Sequence, residues 1–207
     1  IDIGNELAEA LDVKAVFVPT ETAQRVPFLV SDKIDISLGA LTRSVARAKL
    51  IDYTVPLHTE AMAALTTDKN KVSNWKDFND AEYTLANMRG NWSVAFLKEK
   101  LPNAKVALVD TIADTVRSVA QGRADVIIEN IDFFMVHTKN YPDVKWRILP
   151  GTIYVAQCGI GVSKGNYSLR DTLNIALYVL HSENVVNETW EKWYGASMLV
   201  KVVPSAY

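Results

Sequence analysis

The chain has 207 residues, 49% apolar and 22% charged, with 22 basic and 24 acidic side chains and a formal net charge of −2. This length suits one large domain or two small ones. The balanced charge excludes the basic surface of a nucleic-acid-binding protein. No apolar run approaches the ~20 residues of a membrane span. The chain opens at Ile1 without a basic leader, so we expect a processed or trimmed product. The single cysteine, Cys158, excludes an internal disulfide.

Alternating strand and helix patterns organise the first part of the chain. Apolar spacing predicts a helix over 2–11, and the Val- and Phe-rich run 13–18 predicts a strand. A second helix is predicted over 20–32, with a bend or an early turn at Pro27. The short apolar run 34–38 predicts a buried strand. This alternation predicts an α/β fold with mostly parallel sheets flanked by helices.

The stretch 39–56 follows that strand and carries a candidate anion site. Small residues such as Ala40 let a ligand come close, and Thr42 and Ser44 can cap a helix that begins near Ser44. A helix start favours an anion through its N–H groups and its dipole. Arg47 can offer a two-pronged guanidinium to a carboxylate. The alternative is that Arg47 is only a surface charge on a short helix.

The remaining patterns repeat the alternation. An extended segment over 57–67 ends in a polar turn and predicts a crossover between two lobes. Further strands are predicted over 83–88, 105–109, 125–129, 144–149 and 154–162. Further helices are predicted over 94–101, 112–121, 131–139, 169–180 and 185–194. The predicted lobes comprise residues 1–66 with 159–207, and residues 67–158.

Three motifs match one known family. The first is the stretch 39–56, in which a turn of small residues and Thr is followed by an Arg and then by an Asp–aromatic strand. The second is the first helix, and the third is the terminal Trp-Glu-Lys-Trp-Tyr-Gly that ends at Gly195. These features resemble the amino-acid-binding (family 3) periplasmic solute-binding proteins of ABC transporters. The resemblance implies a two-lobed type II periplasmic binding fold with two hinge crossovers. It implies a periplasmic or extracytoplasmic protein that captures a small carboxylate, with a polar amino acid as the favoured ligand, in an interlobe cleft. The protein would deliver this ligand to the membrane permease of an ABC transporter. It further implies that the family's first strand is missing here.

The resemblance also assigns ligand contacts. Thr42 and Arg47 fall on the positions that hold the ligand's α-carboxylate. In the second lobe, Gly90 and Asn91 fall on a helix start whose backbone amides also bind the carboxylate in the family. Asn91 stands in place of the usual hydroxyl residue. Trp92 either closes over the ligand or packs within the lobe.

The family's amine-binding acid falls on Asn130. Losing a carboxylate there removes a charge-assisted bond worth roughly 1.5–3 kcal/mol. Three alternatives stay open. Glu129 takes over in a shifted register, Asn130 binds an ammonium through its carbonyl oxygen, or the ligand is a keto acid, hydroxy acid or dicarboxylate.

Other chemistry is not indicated by the sequence. His58, His137 and His181 lack metal-ligand spacing, and no glycine-rich nucleotide loop or Gly-x-Ser-x-Gly motif occurs. We therefore predict no enzyme activity, metal, cofactor or nucleic-acid partner. Two alternatives are the sensory domain of a receptor and a cyclohexadienyl dehydratase-like enzyme, in which Glu129 or Asp132 would protonate a leaving group.

Overall fold

The computed structural model describes residues 1–204, which form two compact units. Unit 1 comprises residues 1–60 and the chain from residue 156 onward, and unit 2 comprises residues 61–155. The predicted lobe bounds, residues 1–66 with 159–207 and residues 67–158, stay a prediction. Residues 205–207, which that prediction includes, lie outside the described residues.

Helices and strands alternate along most of the chain. The helices are α1 (Asp2–Ala10), α2 (Arg25–Val30), α3 (Val45–Ala48), α4 (Ser93–Lys100), α5 (Ile112–Ala120), α6 (Ile131–His137), α7 (Tyr167–Ser182) and α8 (Val185–Tyr194). The strands are β1 (Ile36–Ser37), β2 (Ile51–Thr67), β3 (Thr84–Met88), β4 (Lys105–Val109), β5 (Val126–Asn130), β6 (Trp146–Ile148) and β7 (Tyr154–Ser163). Strands β2 and β7 each pass from one unit into the other, as the two predicted crossovers require.

The sheet pairings combine parallel and antiparallel strands. In unit 1 the order is β1-β7-β2, and β1 is antiparallel to β7. In unit 2 the order is β2-β5-β3-β4, with β6 also paired to β2. Strand β3 is parallel to β4 and β5, whereas β2 is antiparallel to β5 and β6. The predicted parallel arrangement holds for β3, β4 and β5 because helices α4 and α5 supply the long crossovers that parallel neighbours need.

Two predicted strands of unit 1 differ from the structure. Residues 13–18 form no strand, and the apolar side chains of Val16 and Phe17 are 81% and 47% exposed. A strand needs a hydrogen-bonded neighbour, and none of residues 1–204 pairs with this run, so its β propensity alone is not enough. The predicted strand 34–38 keeps only Ile36–Ser37. Pro27 is the third residue of α2, in the first turn, where a proline is tolerated.

The terminal helices close the core of unit 1. Leu7 of α1, Leu177 of α7 and Trp190 of α8 are buried together. Packing in the core of unit 1 therefore accounts for Trp190. Trp193 differs, since it is 62% exposed and its Nε1 donates to Asp2 Oδ2 at 3.1 Å. Within residues 1–204, none of the helices combines the length and apolar character needed to cross a membrane.

We expect His181 to make folding stability depend on pH. Its ring is buried and its Nε2 lies 3.1 Å from the Pro56 carbonyl oxygen. Burial lowers the pKa of His181, the Pro56 carbonyl opposes that shift, and the His58 charge adds to it. The unfolded chain therefore binds a proton first, so stability should fall as the pH drops below about 6.5, until the folded state is protonated too.

Thermal melts between about pH 7.5 and about pH 5 test this expectation. The change His181→Gln removes the titration and keeps a donor for Pro56, so it should flatten the profile over that range. An unchanged slope would show that His181 does not carry the effect.

Candidate functional site

A strained turn of unit 1 carries the predicted carboxylate residues. Ala40 has φ of +39°, in the left-handed region that residues other than glycine rarely adopt. Thr42 follows and pairs through its backbone with Cys158 of β7, while Arg43 N donates to the Gln157 carbonyl oxygen at 2.9 Å. These bonds to β7 hold the turn in place. Backbone strain of this kind is often found at ligand sites.

Arg47 folds back onto the same turn. Ser44 Oγ accepts a bond from Arg47 N at 3.3 Å, which confirms the predicted cap of α3. Because α3 has only four residues, its dipole adds less to anion binding than the sequence suggested. Arg47 Nη1 and the Tyr53 hydroxyl each donate to the Thr42 carbonyl oxygen at 3.1 Å. A guanidinium has five donors in a fixed fork, so one side chain can serve both the turn and a carboxylate.

A second guanidinium, that of Arg25, lies at this turn and was missed by the sequence reasoning. A Cβ added to Gly39 would lie 3.0 Å from Arg25 Nε, so Arg25 occupies the space that the glycine leaves. Burial lowers the pKa of Arg25, and the charge of Arg47 lowers it further, whereas Glu60 and Cys158 raise it. Two nearby cations in a partly buried turn favour an anion. Arg25 stands in the segment Thr22-Ala-Gln-Arg-Val-Pro27, which resembles a segment of some binders of acidic or polar amino acids, and that resemblance was the available signal for Arg25.

The predicted turn of unit 2 is organised by Asn91. Gly90 has φ of +75°, which lets the chain turn into α4. Asn91 Oδ1 accepts from Ser93 N at 3.2 Å, so the amide takes the place of a capping hydroxyl. Asn91 Nδ2 donates to Glu129 Oε2 at 2.5 Å. The structure therefore brings together two residues that the sequence named separately.

Glu129 and Asn130 lie at the junction of β5 and α6. Glu129 is 3% exposed, and its Oε1 accepts from Asn130 N at 3.1 Å. Asn130 is fully buried, and its Oδ1 accepts from Asp132 N at 3.3 Å as the cap of α6. Within residues 1–204, Asn130 Nδ2 has no hydrogen-bond partner. Because the carbonyl oxygen is engaged and a donor is left over, this position favours an acceptor on the ligand over an ammonium.

Trp92 takes part in an aromatic cluster of unit 2. Its ring centroid lies 5.7 Å from that of Phe96 and 5.0 Å from that of Tyr154. Packing thus accounts for Trp92, and a ligand contact by this residue stays a prediction.

A sequence comparison gives the family and two kinds of relative. The family model of the bacterial extracellular solute-binding proteins, family 3, matches residues 1–196. The ABC transporter glutamine-binding protein of Bacillus subtilis is 24% identical over 93% of this chain and 71% of its own length. The virulence sensor protein BvgS of Bordetella bronchiseptica is 24% identical over 92% of this chain, which spans only 15% of that protein.

A comparison with solved structures agrees with the observed fold. The ancestral amino acid-binding protein AncCDT-1, a precursor of cyclohexadienyl dehydratase, has a TM-score of 0.84 and 27% identity over 93% of this chain and 83% of its own. The architecture is that of the type II periplasmic binding proteins. The chain belongs to the bacterial extracellular solute-binding proteins, family 3.

Proposed function

We propose that the chain is an extracytoplasmic binding component that captures a polar amino acid, or a related small carboxylate, for uptake through the permease of an ABC transporter. The observation that carries this proposal is the turn of unit 1, where the Arg25 guanidinium packs against Gly39 and Arg47 Nη1 donates to the Thr42 carbonyl oxygen. The relative from Bacillus subtilis, which is named as glutamine-binding, supports the same ligand class.

The carboxylate is assigned to Arg47 and Thr42. The guanidinium fork matches a carboxylate, and charge-assisted bonds of this kind are about twice as strong as neutral ones. Burial lowers the pKa of Arg25 and the Arg47 charge lowers it further, and a bound anion would offset that repulsion between the two arginines. A few such contacts suffice for micromolar binding, about −8 kcal/mol.

The ligand's other groups are assigned to Glu129 and Asn130. Glu129 supplies a buried carboxylate for an ammonium, and Asn130 Nδ2 supplies a buried donor for a carbonyl or carboxyl oxygen. A polar amino acid such as glutamine offers both groups, whereas a keto acid or dicarboxylate offers acceptors alone. The ligand class therefore depends on which of these two residues is used.

The change Asn130→Asp tests this assignment. It replaces the donor by a second acceptor beside the buried Glu129, so we expect at least about tenfold weaker ligand binding and a lower melting temperature. Affinity is measured by calorimetry. The matched control is Asn74→Asp, because Asn74 also caps a short helix, through Lys76 N, but lies at an exposed bond. Tighter binding of α-amino acids by the Asn130→Asp variant would instead assign an ammonium to this position.

A ligand panel tests the proposed function itself. Melting temperatures are measured with amino acids, keto acids and dicarboxylates, because a ligand at about 100 times its Kd stabilises the folded chain by about 2.7 kcal/mol. We expect one polar amino acid, or a small set, to raise the melting temperature. If no compound of the three classes does so, the proposal is contradicted.

Two other functions have specific support and separate tests. The similarity to BvgS favours a sensory domain, and a membrane span downstream of this region in the full gene would identify one. The similarity to AncCDT-1 raises the dehydratase alternative, with Glu129 or Asp132 as the acid. Turnover of prephenate or arogenate would establish that activity, and tight binding without turnover would exclude it.

A further inference from the structure

Three potential metal ligands meet on two strands of unit 1. Within residues 1–204, the ligand atoms of His58, Glu60 and Cys158 all lie within 4.8 Å of one another. His58 and Glu60 are two residues apart on β2, so their side chains share one face of the strand, and Cys158 lies on the neighbouring strand β7. The side chains of His58 and Glu60 are 12% and 4% exposed, and Cys158 is 1% exposed.

Glu60 gives an independent sign that a cation belongs here. Its Oε1 is inaccessible to solvent and makes no hydrogen bond with any other part of the chain that the structure describes. A buried carboxylate oxygen without a hydrogen bond is costly, so a counter-group is expected. His58 Nε2 lies 3.5 Å away, which is long for a hydrogen bond. It matches the separation, about 3.3–3.6 Å, of two tetrahedral nitrogen and oxygen ligands that each stand about 2.0–2.2 Å from a zinc ion.

Arg25 is the competing explanation for the buried charge of Glu60. Both Glu60 and Cys158 raise the pKa of Arg25, so the guanidinium feels their charges. Burial and Arg47 nevertheless lower the pKa of Arg25 overall. An electrostatic interaction with Arg25 does not give Glu60 Oε1 a direct partner, whereas a coordinated ion would bind that oxygen directly.

We propose that His58, Glu60 and Cys158 bind one divalent ion of the zinc class. Thiolate, imidazole and carboxylate are the ligand types that zinc takes in proteins, and three protein ligands leave a fourth position for water or another small ligand. The thiolate and the carboxylate together balance the two charges of the ion. The sulfur has to approach by up to about 1 Å, and its proton is released to solvent on binding.

The bound ion ties β2 to β7 near the points where the chain changes units. Glu60 is the last residue of unit 1 before unit 2 begins at Ala61, and Cys158 follows closely after the return at Ala156. The site differs from the carboxylate site in its residues, although Cys158 Sγ lies 3.8 Å from Thr42 Oγ1. Zinc binding and amino-acid binding are therefore measured separately, and either proposal can fail alone.

Titration of the tag-free, metal-stripped chain tests the proposal. Calorimetry with Zn²⁺ should give one ion per chain, with proton release that depends on the buffer. Co²⁺ should produce a thiolate-to-cobalt charge-transfer band in the near-ultraviolet spectrum. The change Cys158→Ser should abolish that band, and both Cys158→Ser and the isosteric Glu60→Gln should weaken Zn²⁺ binding at least about tenfold.

The matched control is His137→Gln, a histidine outside the three-residue group, and it should keep the affinity and the band of the parent chain. Melting curves without metal show whether each variant is folded. If Cys158→Ser does not fold, the Zn²⁺ affinity of Glu60→Gln still tests the proposal. The proposal is overturned if the parent chain binds Zn²⁺ no more tightly than the variant carrying both changes. It is also overturned if saturating Co²⁺ gives no thiolate band.

Discussion

The change Arg47→Ala should weaken binding of the chain's ligand roughly 10- to 150-fold, the equivalent of the 1.5–3 kcal/mol that a hydrogen bond to a charged group contributes. The reason is that Arg47, which is held on the turn by its bond to the Thr42 carbonyl oxygen, supplies the fork for the carboxylate. The measurement is calorimetry with the compound that stabilises the parent chain.

Two further variants separate charge from geometry. Arg47→Lys keeps the charge and loses the two-pronged contact, so its affinity should fall between those of the parent chain and Arg47→Ala. Arg43→Ala removes an exposed arginine of the same turn and should change affinity little. Equal affinities for the parent chain and Arg47→Ala would remove Arg47 from the site.

The change Leu41→Ala should lower the free energy of unfolding by about 2–5 kcal/mol. Leu41, the residue before Thr42, is 1% exposed and packs with Leu29 and Ile51. The loss combines the transfer term of the deleted methyl groups with the cavity that they leave. Urea unfolding measures it.

Gly161 makes this prediction more specific. A Cβ at Gly161 would lie 2.7 Å from Leu41 Cδ2 and 2.8 Å from Leu29 Cδ1, so Gly161→Ala alone should cost about 1–3 kcal/mol through overpacking. In the double variant the shortened residue at position 41 leaves room for the new methyl group. The free energy of unfolding should therefore fall by less than the sum of the decreases in the two single variants. Leu177→Ala, in the other cluster of unit 1, should combine additively with Gly161→Ala. Simple additivity for Leu41 and Gly161 would show that the two sites do not share a cavity.

Elements whose signals are local were predicted well from the sequence. The strand 105–109 and the helix 185–194 occur with the predicted bounds, and most other elements differ by a few residues at their ends. Their apolar periodicity, caps and closing glycines lie within each segment. The exception, residues 13–18, depends on a partner strand, and pairing is a property of the whole sheet that propensity cannot supply.

For the candidate site, the sequence associated residues that lie within one motif and missed those that the fold brings together. Thr42, Ser44 and Arg47 lie within one short stretch, so their association was visible in the sequence. Arg25 reaches the same turn from a different helix, and the bond from Asn91 to Glu129 joins positions far apart in the chain. Such contacts depend on how strands and helices pack, which the sequence pattern does not specify.

The most direct test of the carboxylate site compares the ligand with its α-carboxamide. Both compounds are titrated into the parent chain and into Arg47→Ala by calorimetry. We predict that the carboxamide binds the parent chain at least about tenfold more weakly than the acid, and that Arg47→Ala hardly distinguishes the two, because the lost contact is the same one. If the carboxamide binds the parent chain as tightly as the acid, the turn of unit 1 does not hold the carboxylate. That result would contradict the assignment of the carboxylate to Arg47 and Thr42.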